Sequence, residues 1–216
     1  MSGTPVKGRP YDASGRRRAA EDRRRRIVEH ARALFLERGF AGTTVAALAE
    51  RAGVSVETIY KTFGGKAGLV RAVWEQALEG VGPIPAEERS DAVSSVADDP
   101  YEVVQTWARL SAEVGDRGAP VLALVRAAAA VDPEAAVLLA EIDASRLARM
   151  THNAEALARR GHLRTDLTTQ RAAEAMMTLA GALHDPLMGE FGWSAAEYSD
   201  LMERLLAAAL LDRSAR

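Results

Sequence analysis

Residues 43–66 constrain this chain more than any other stretch. They read Thr-Thr-Val-Ala-Ala-Leu-Ala-Glu-Arg-Ala-Gly-Val-Ser-Val-Glu-Thr-Ile-Tyr-Lys-Thr-Phe-Gly-Gly-Lys. Thr43 or Thr44 can cap a helix, because a threonine hydroxyl accepts from the free amides of a helix start. Val45, Leu48, Ala49 and Ala52 then share one helical face, and Gly53 suits the left-handed stop. Ser55 is the next natural cap, residues 56–62 allow two turns, and Val54 and Ile59 supply a buried side. The spacing predicts a helix-turn-helix, with the small Ala49 where two steeply crossing helices touch. Val56, Glu57, Tyr60 and Lys61 face outward on its second helix, a set that can hold phosphates and read base edges. An ordinary helical hairpin in an all-α core has the same turn, so the turn alone leaves both readings open.

The flanks add to it. An apolar helix ends in Ala33-Leu34-Phe35-Leu36-Glu37-Arg38-Gly39-Phe40. Gly42-Thr43-Thr44-Val45 and Ala49-Glu50-Arg51-Ala52-Gly53-Val54-Ser55 follow, then Thr58-Ile59-Tyr60, Phe63, Lys66 and Leu69. In these residues, about the first third of the chain, the sequence resembles the TetR family of bacterial transcriptional repressors. The resemblance implies an all-α fold of about nine helices. An N-terminal three-helix helix-turn-helix DNA-binding domain would precede a C-terminal helical ligand-binding and dimerisation domain. It also implies that Lys66 and the first amides of the following helix hold a phosphate, which suits a cation at a helix start. Two departures stand out. Gly65 replaces the usual Ser, Asn or Asp cap, and Gly68 inside the helix costs about 1 kcal/mol relative to alanine. A loosely held first turn is the expectation.

Charge divides the chain in the same sense. Residues 1–80 carry 15 Lys and Arg against 9 Asp and Glu, and the remainder 13 against 21. A basic front and an acidic back fit one part that faces nucleic acid and one that avoids it. No cysteine is present, which excludes disulfides and thiolate-bound metal. No apolar run approaches the ~20 residues of a membrane span and no signal peptide precedes the basic start, so a soluble, cytoplasmic protein without membrane contact is expected.

Residues 1–20 read as a disordered basic arm, 21–80 as the DNA-binding domain, 81–98 as a linker and 99–216 as the effector-binding and dimerisation domain. Arg16, Arg17 and Arg18, with Arg23 to Arg26, are either a solvated tail and first turn or a phosphate-neutralising, minor-groove-entering arm; the neighbouring helix-turn-helix favours the second. The first helix is expected over 21–38. Asp99-Pro100 and Asp132-Pro133 each place a cap before proline, and Pro120 is a further candidate start. A long helix over 133–160 stops at Gly161, Thr168 or Thr169 opens the next, and Pro186 ends or kinks it. Ser194 to Glu197 is a capping box for a last helix reaching about 211.

Expected DNA contacts are Tyr60 and Lys61 in the groove and on phosphate, Val56, Glu57 and Thr62 on base edges or methyl groups, and Thr43, Thr44, Ser55 and Lys66 on the backbone. Glu57 either accepts from a cytosine amine or simply favours its helix start. Leu179, Leu183, Tyr198, Leu201, Met202, Leu205 and Leu206 exceed the apolar surface one subunit need bury and are expected at a homodimer interface. The resemblance agrees, implying a four-helix bundle between two subunits. Trp107, Leu110, Leu122, Val125, Arg126, Met150, Met176, Met177 and His184 are ordinary core in one reading, and in the other line a pocket for a small, largely apolar effector. Arg126 either pairs with an internal acid such as Asp143 or meets an anionic ligand, and His184-Asp185 is a candidate hydrogen-bonded core pair.

The four histidines lack metal-ligand spacing and the glycines form no phosphate-binding loop, so no catalytic residue, metal or cofactor is expected. The expectation is a homodimeric, ligand-responsive repressor that binds a palindromic operator in double-stranded DNA and is not an enzyme. The same fold without an effector, an activator, and a helical adaptor whose head binds protein are the alternatives.

Overall fold

The computed structural model describes residues 13–212, with side chains throughout that span except at 13, 14 and 16. Nine α-helices follow one another among the described residues: α1 (Ala13–Arg38), α2 (Val45–Ala52), α3 (Val56–Phe63), α4 (Lys66–Leu78), α5 (Ala86–Val96), α6 (Pro100–Ala129), α7 (Pro133–Arg159), α8 (Thr169–His184) and α9 (Ala195–Leu210). A π-helical turn (Asp185–Glu190) separates α8 from α9, so Pro186 does interrupt the α-helix. Among the described residues there is no strand, only one isolated antiparallel bridge between Leu163 and Leu211. The all-α expectation holds.

The helix starts follow from local chemistry. The side chains of Thr44, Ser55, Asp99, Asp132, Thr168 and Ser194 each accept from an amide in the first turn behind them. At Ser194 the reciprocal bond from Glu197 completes a capping box. Gly53 closes α2 at φ 65°, ψ 36°, a conformation that side-chain-bearing residues rarely take.

Three expectations fail. Residues 13–20 are helical rather than an arm, because α1 begins at Ala13 and not near 21. Alanine and arginine are good helix formers, so the basic run simply extends the helix; residues 1–12 lie outside the described residues. The stretch 81–98, read as linker, carries α5. And Pro120 starts nothing: α6 continues through Gly115, Gly118 and Pro120. Proline sacrifices one backbone bond there, and tertiary packing holds the helix together around it.

Two apolar clusters form the core. One unites α1 to α4 with Val121, Leu122 and Val125 of α6 and Leu138 and Ile142 of α7. The other unites Val103, Val104 and Trp107 of α6 with Leu157 of α7, Met176 of α8 and Tyr198, Met202 and Leu206 of α9. Helices α6 and α7 run through both, so the head is anchored on the same two helices that carry the rear cluster.

Candidate nucleic-acid interface and internal cavity

The head is built on α1, whose Ile27, Val28, Ala31, Leu34 and Phe35 are buried. Ala47 N donates to Thr44 Oγ1 at 3.2 Å, Val54 N to Ala49 O at 2.9 Å, and Thr58 N to Ser55 Oγ at 3.1 Å. These bonds fix the α2–α3 corner. Ile59 is completely buried, which pins α3 by its inner side. The opposite side stands free: Val56 is 40% and Tyr60 55% exposed, and Glu57, Lys61 and Thr62 are exposed too. Apolar, aromatic, acidic and basic side chains thus share one projecting helical face.

Two residues assigned to the DNA backbone are committed internally. Thr43 is buried and its hydroxyl donates to Gly39 O at 2.7 Å, closing the α1–α2 turn. The Lys66 ammonium donates to Phe40 O at 3.2 Å and sits 4.0 Å from the Phe40 ring centroid. That pairs a carbonyl bond with a cation–π contact and ties α4 to the same turn. Thr44, Ser55, Arg17 and Arg18 remain exposed, the last two on α1 rather than on an arm; Arg16 belongs to α1.

Gly65 leaves α4 without a side-chain cap, as expected, but close packing accounts for both Gly65 and Gly68. A Cβ at Gly65 would lie 3.3 Å from Tyr60 Cε1, and one at Gly68 would overlap the Phe63 carbonyl oxygen. Only glycine lets α4 begin directly beneath the last turn of α3. Alanine is therefore the wrong reference for Gly68, and the first turn is held by Lys66 as well as by the Leu69 N bond to Gly65 O. On the head's flank Arg51 bonds Glu37 at 2.8 Å, and this bond above all holds the Glu37 carboxyl below its usual value. Both groups are solvated, so the pair adds little stability.

Behind the head lies a cavity of about 500 Å³ walled by α4 to α9. Trp107, Leu110, Leu122, Arg126, Met150, Met176, Met177 and His184 all line it, as the pocket reading expected. Val125 does not: it is fully buried in the forward cluster. Asp143 bonds Arg146 at 2.9 Å instead of Arg126, which is exposed at the cavity's margin with no ion partner among the described residues. His184 lies edge-on to Tyr198, centroids 5.4 Å apart, and Asp185 is 3.5 Å from its Nδ1 without hydrogen-bond geometry. Sequence reasoning missed Trp74, Ser111, Arg146, Arg149 and Asn153 in the wall. The lining positions 107, 111, 114, 118 and 122 repeat at helical spacing on α6 and point to Ser111; nothing in the local sequence points to Trp74. Among the described residues, no three potential metal ligands cluster.

Residues 27–73, from the middle of α1 to the middle of α4, match the family of bacterial regulatory proteins of the tetR type. Over that stretch the chain is of the TetR type. Over 73 residues it is 37% identical to HTH-type transcriptional regulator BetI 1 of Chromohalobacter salexigens, a match covering 34% of this chain and 36% of that protein. The match thus spans about a third of the curated relative's length. Solved structures extend the likeness to the whole fold. A TetR-family regulator from Rhodococcus sp. superposes with a TM-score of 0.68 at 19% identity, covering 88% of this chain and 99% of that one. NalD, the secondary repressor of the MexAB-OprM multidrug efflux pump in Pseudomonas aeruginosa, gives 0.68 at 20% identity over 90% and 99%.

The expected dimer face is only partly available. Tyr198, Met202 and Leu206 are buried inside one subunit, because that stripe of α9 packs on α6. Leu201 and Leu205 on the adjacent stripe, and Leu179 and Leu183 on α8, are half-buried. No helix among the described residues is long and apolar enough to cross a membrane.

Proposed function

We propose that this protein is a homodimeric transcriptional regulator of the TetR family, a repressor that leaves a palindromic operator when a small, largely apolar ligand fills its cavity. The observation that carries this is the free outer side of α3, where Val56, Glu57, Tyr60 and Lys61 project from a corner fixed by two caps and a buried Ile59. Such a helix fits the major groove, with Lys61 and Tyr60 reaching phosphate and base edges. Thr44 and Ser55 border the same face, and Arg17 and Arg18 offer cations to flanking phosphates. One short helix discriminates little. Two, held about 34–36 Å apart by pairing through Leu179, Leu183, Leu201 and Leu205, read a two-fold site. NalD's description as a repressor supports the sign of regulation.

The route from cavity to head is α4. Trp74 lines the cavity, and Lys66, at the start of the same helix, holds the turn beside α2. A ligand that binds better to one setting of α4 shifts the spacing of the two heads, provided its affinities for the two settings differ. Selection from random duplexes by the purified protein tests the proposal. It should return an inverted repeat bound with steep salt dependence, and size measurement should give two subunits per duplex. Recovery of no enriched sequence at low ionic strength would reject DNA recognition.

A further inference from the structure

We infer that the cavity takes an uncharged ligand, an apolar and largely aromatic body bearing carbonyl or hydroxyl groups, rather than a carboxylate or a quaternary ammonium. The inference rests on the effector reading and names the chemistry of that site. Charge decides it. Arg146 already faces Asp143 at 2.9 Å, and Arg149 faces Asp91 at 2.6 Å and Glu87 at 3.3 Å. An incoming carboxylate must therefore displace an existing pair, and a cation finds Glu87 engaged. Asp185 remains, but its side chain is 58% exposed and solvated. Arg126 has no carboxylate among the described residues, yet it too is exposed, where an ion pair adds little.

The buried wall instead holds hydrogen-bonding groups without partners. The indole N–H groups of Trp74 and Trp107, both ring nitrogens of His184 and Asn153 Oδ1 make no hydrogen bond, and each residue is more than nine-tenths buried. Unpaired buried polar groups are costly, and a ligand that pairs them recovers that cost. Indoles only donate, whereas a neutral imidazole offers one donor and one acceptor. Oxygen atoms on an uncharged ligand answer these groups without bringing a charge into a low-dielectric space. Each of these atoms is itself almost completely buried. Met150, Met176 and Met177 stand in that wall, and unbranched thioether chains shift readily to admit a guest. The cavity's ~500 Å³ suits a drug-sized molecule.

Three benzophenones of one shape provide the test: 4-(hydroxymethyl)benzophenone, 4-benzoylbenzoate and (4-benzoylbenzyl)trimethylammonium. Each is titrated into the full-length protein, then irradiated so that the bound probe crosslinks to its neighbours. The hydroxymethyl compound should bind about tenfold more tightly than either ion and label peptides carrying Met150 or Met176. His184→Phe, which keeps a ring and removes both nitrogens, should weaken it about fivefold to tenfold while leaving binding of diphenylmethane unchanged. If that variant fails to fold, Asn153→Leu takes its place. Tighter cavity binding of either ion, equal losses for diphenylmethane, or binding of none of the probes overturns the inference. A charged probe that releases DNA sinks the ligand class alone. A neutral probe that labels the cavity and leaves the DNA complex intact sinks the effector role alone.

Discussion

Trp74 of α4 packs directly on Gly118 of α6: a Cβ added at Gly118 would stand 3.0 Å from Trp74 Cζ3. The indole is part of the cavity wall, and its helix begins in the head. A single close approach between two helices therefore joins the proposed effector site to the proposed reading surface. Gly118→Leu forces the ring aside. Overpacking outweighs the gain in helix propensity, for a net loss of about 1–2 kcal/mol of stability. Chemical denaturation measures it, and a variant as stable as the parent would show that α4 and α6 do not meet this closely.

Thr43 and the outer face of α3 should separate cleanly in their effects. Thr43→Val removes the buried bond to Gly39 O and should cost about 1 kcal/mol in unfolding free energy. Tyr60→Ala and Lys61→Ala touch solvent-exposed side chains and should alter stability by no more than about 0.5 kcal/mol. Their loss should appear in duplex binding, with Lys61→Ala reducing the salt slope by about one. Thermal melts beside binding isotherms at several salt concentrations separate the two classes; a strongly destabilised Lys61→Ala protein would mean that α3 is not free on this side.

Lys66→Met tests whether that ammonium braces the protein or grips a phosphate. Its partners are the Phe40 carbonyl and ring, so the variant should lose about 1 kcal/mol of stability. Duplex affinity should fall without a change in salt slope. A slope reduced by about one in the variant would place Lys66 on DNA instead.

Acid should weaken a clasp at the rear of the head. Glu113 accepts from Arg89 Nη1 at 3.0 Å and also receives Arg89 Nη2 and the Val81 amide, which binds the α4–α5 turn and α5 to α6. The bond from Arg89 is the foremost cause that holds the Glu113 carboxyl below its usual 4.5. A carboxylate with a lowered folded pKa contributes its stability in full above the unfolded value and loses it as pH falls through the folded one. Unfolding free energy should therefore drop on acidification below about pH 5, and Glu113→Gln should flatten that drop. Identical pH profiles for the two proteins would remove the clasp from the account.

Much of this molecule is written locally. Thr44, Ser55, Asp99, Asp132, Thr168 and Ser194 cap the helices they precede, because a cap needs only its own side chain and the next few amides. The α2–Gly53–α3 corner and the exposed Tyr60 and Lys61 are legible for the same reason: a two-turn helix with one buried residue has few ways to sit. What the local pattern could not decide is which neighbour each side chain meets. Gly115, Gly118 and Pro120 look like a break, yet α6 continues through them because the two glycines admit His184 and the Trp74 ring. Gly68 looks like a defect until the Phe63 carbonyl is seen above it. Tyr198, Met202 and Leu206 look like surplus apolar surface, and α6 covers them. Periodicity says which residues share a helix face, but only the packing of helices distant in sequence says whether that face meets water, a cavity or another helix.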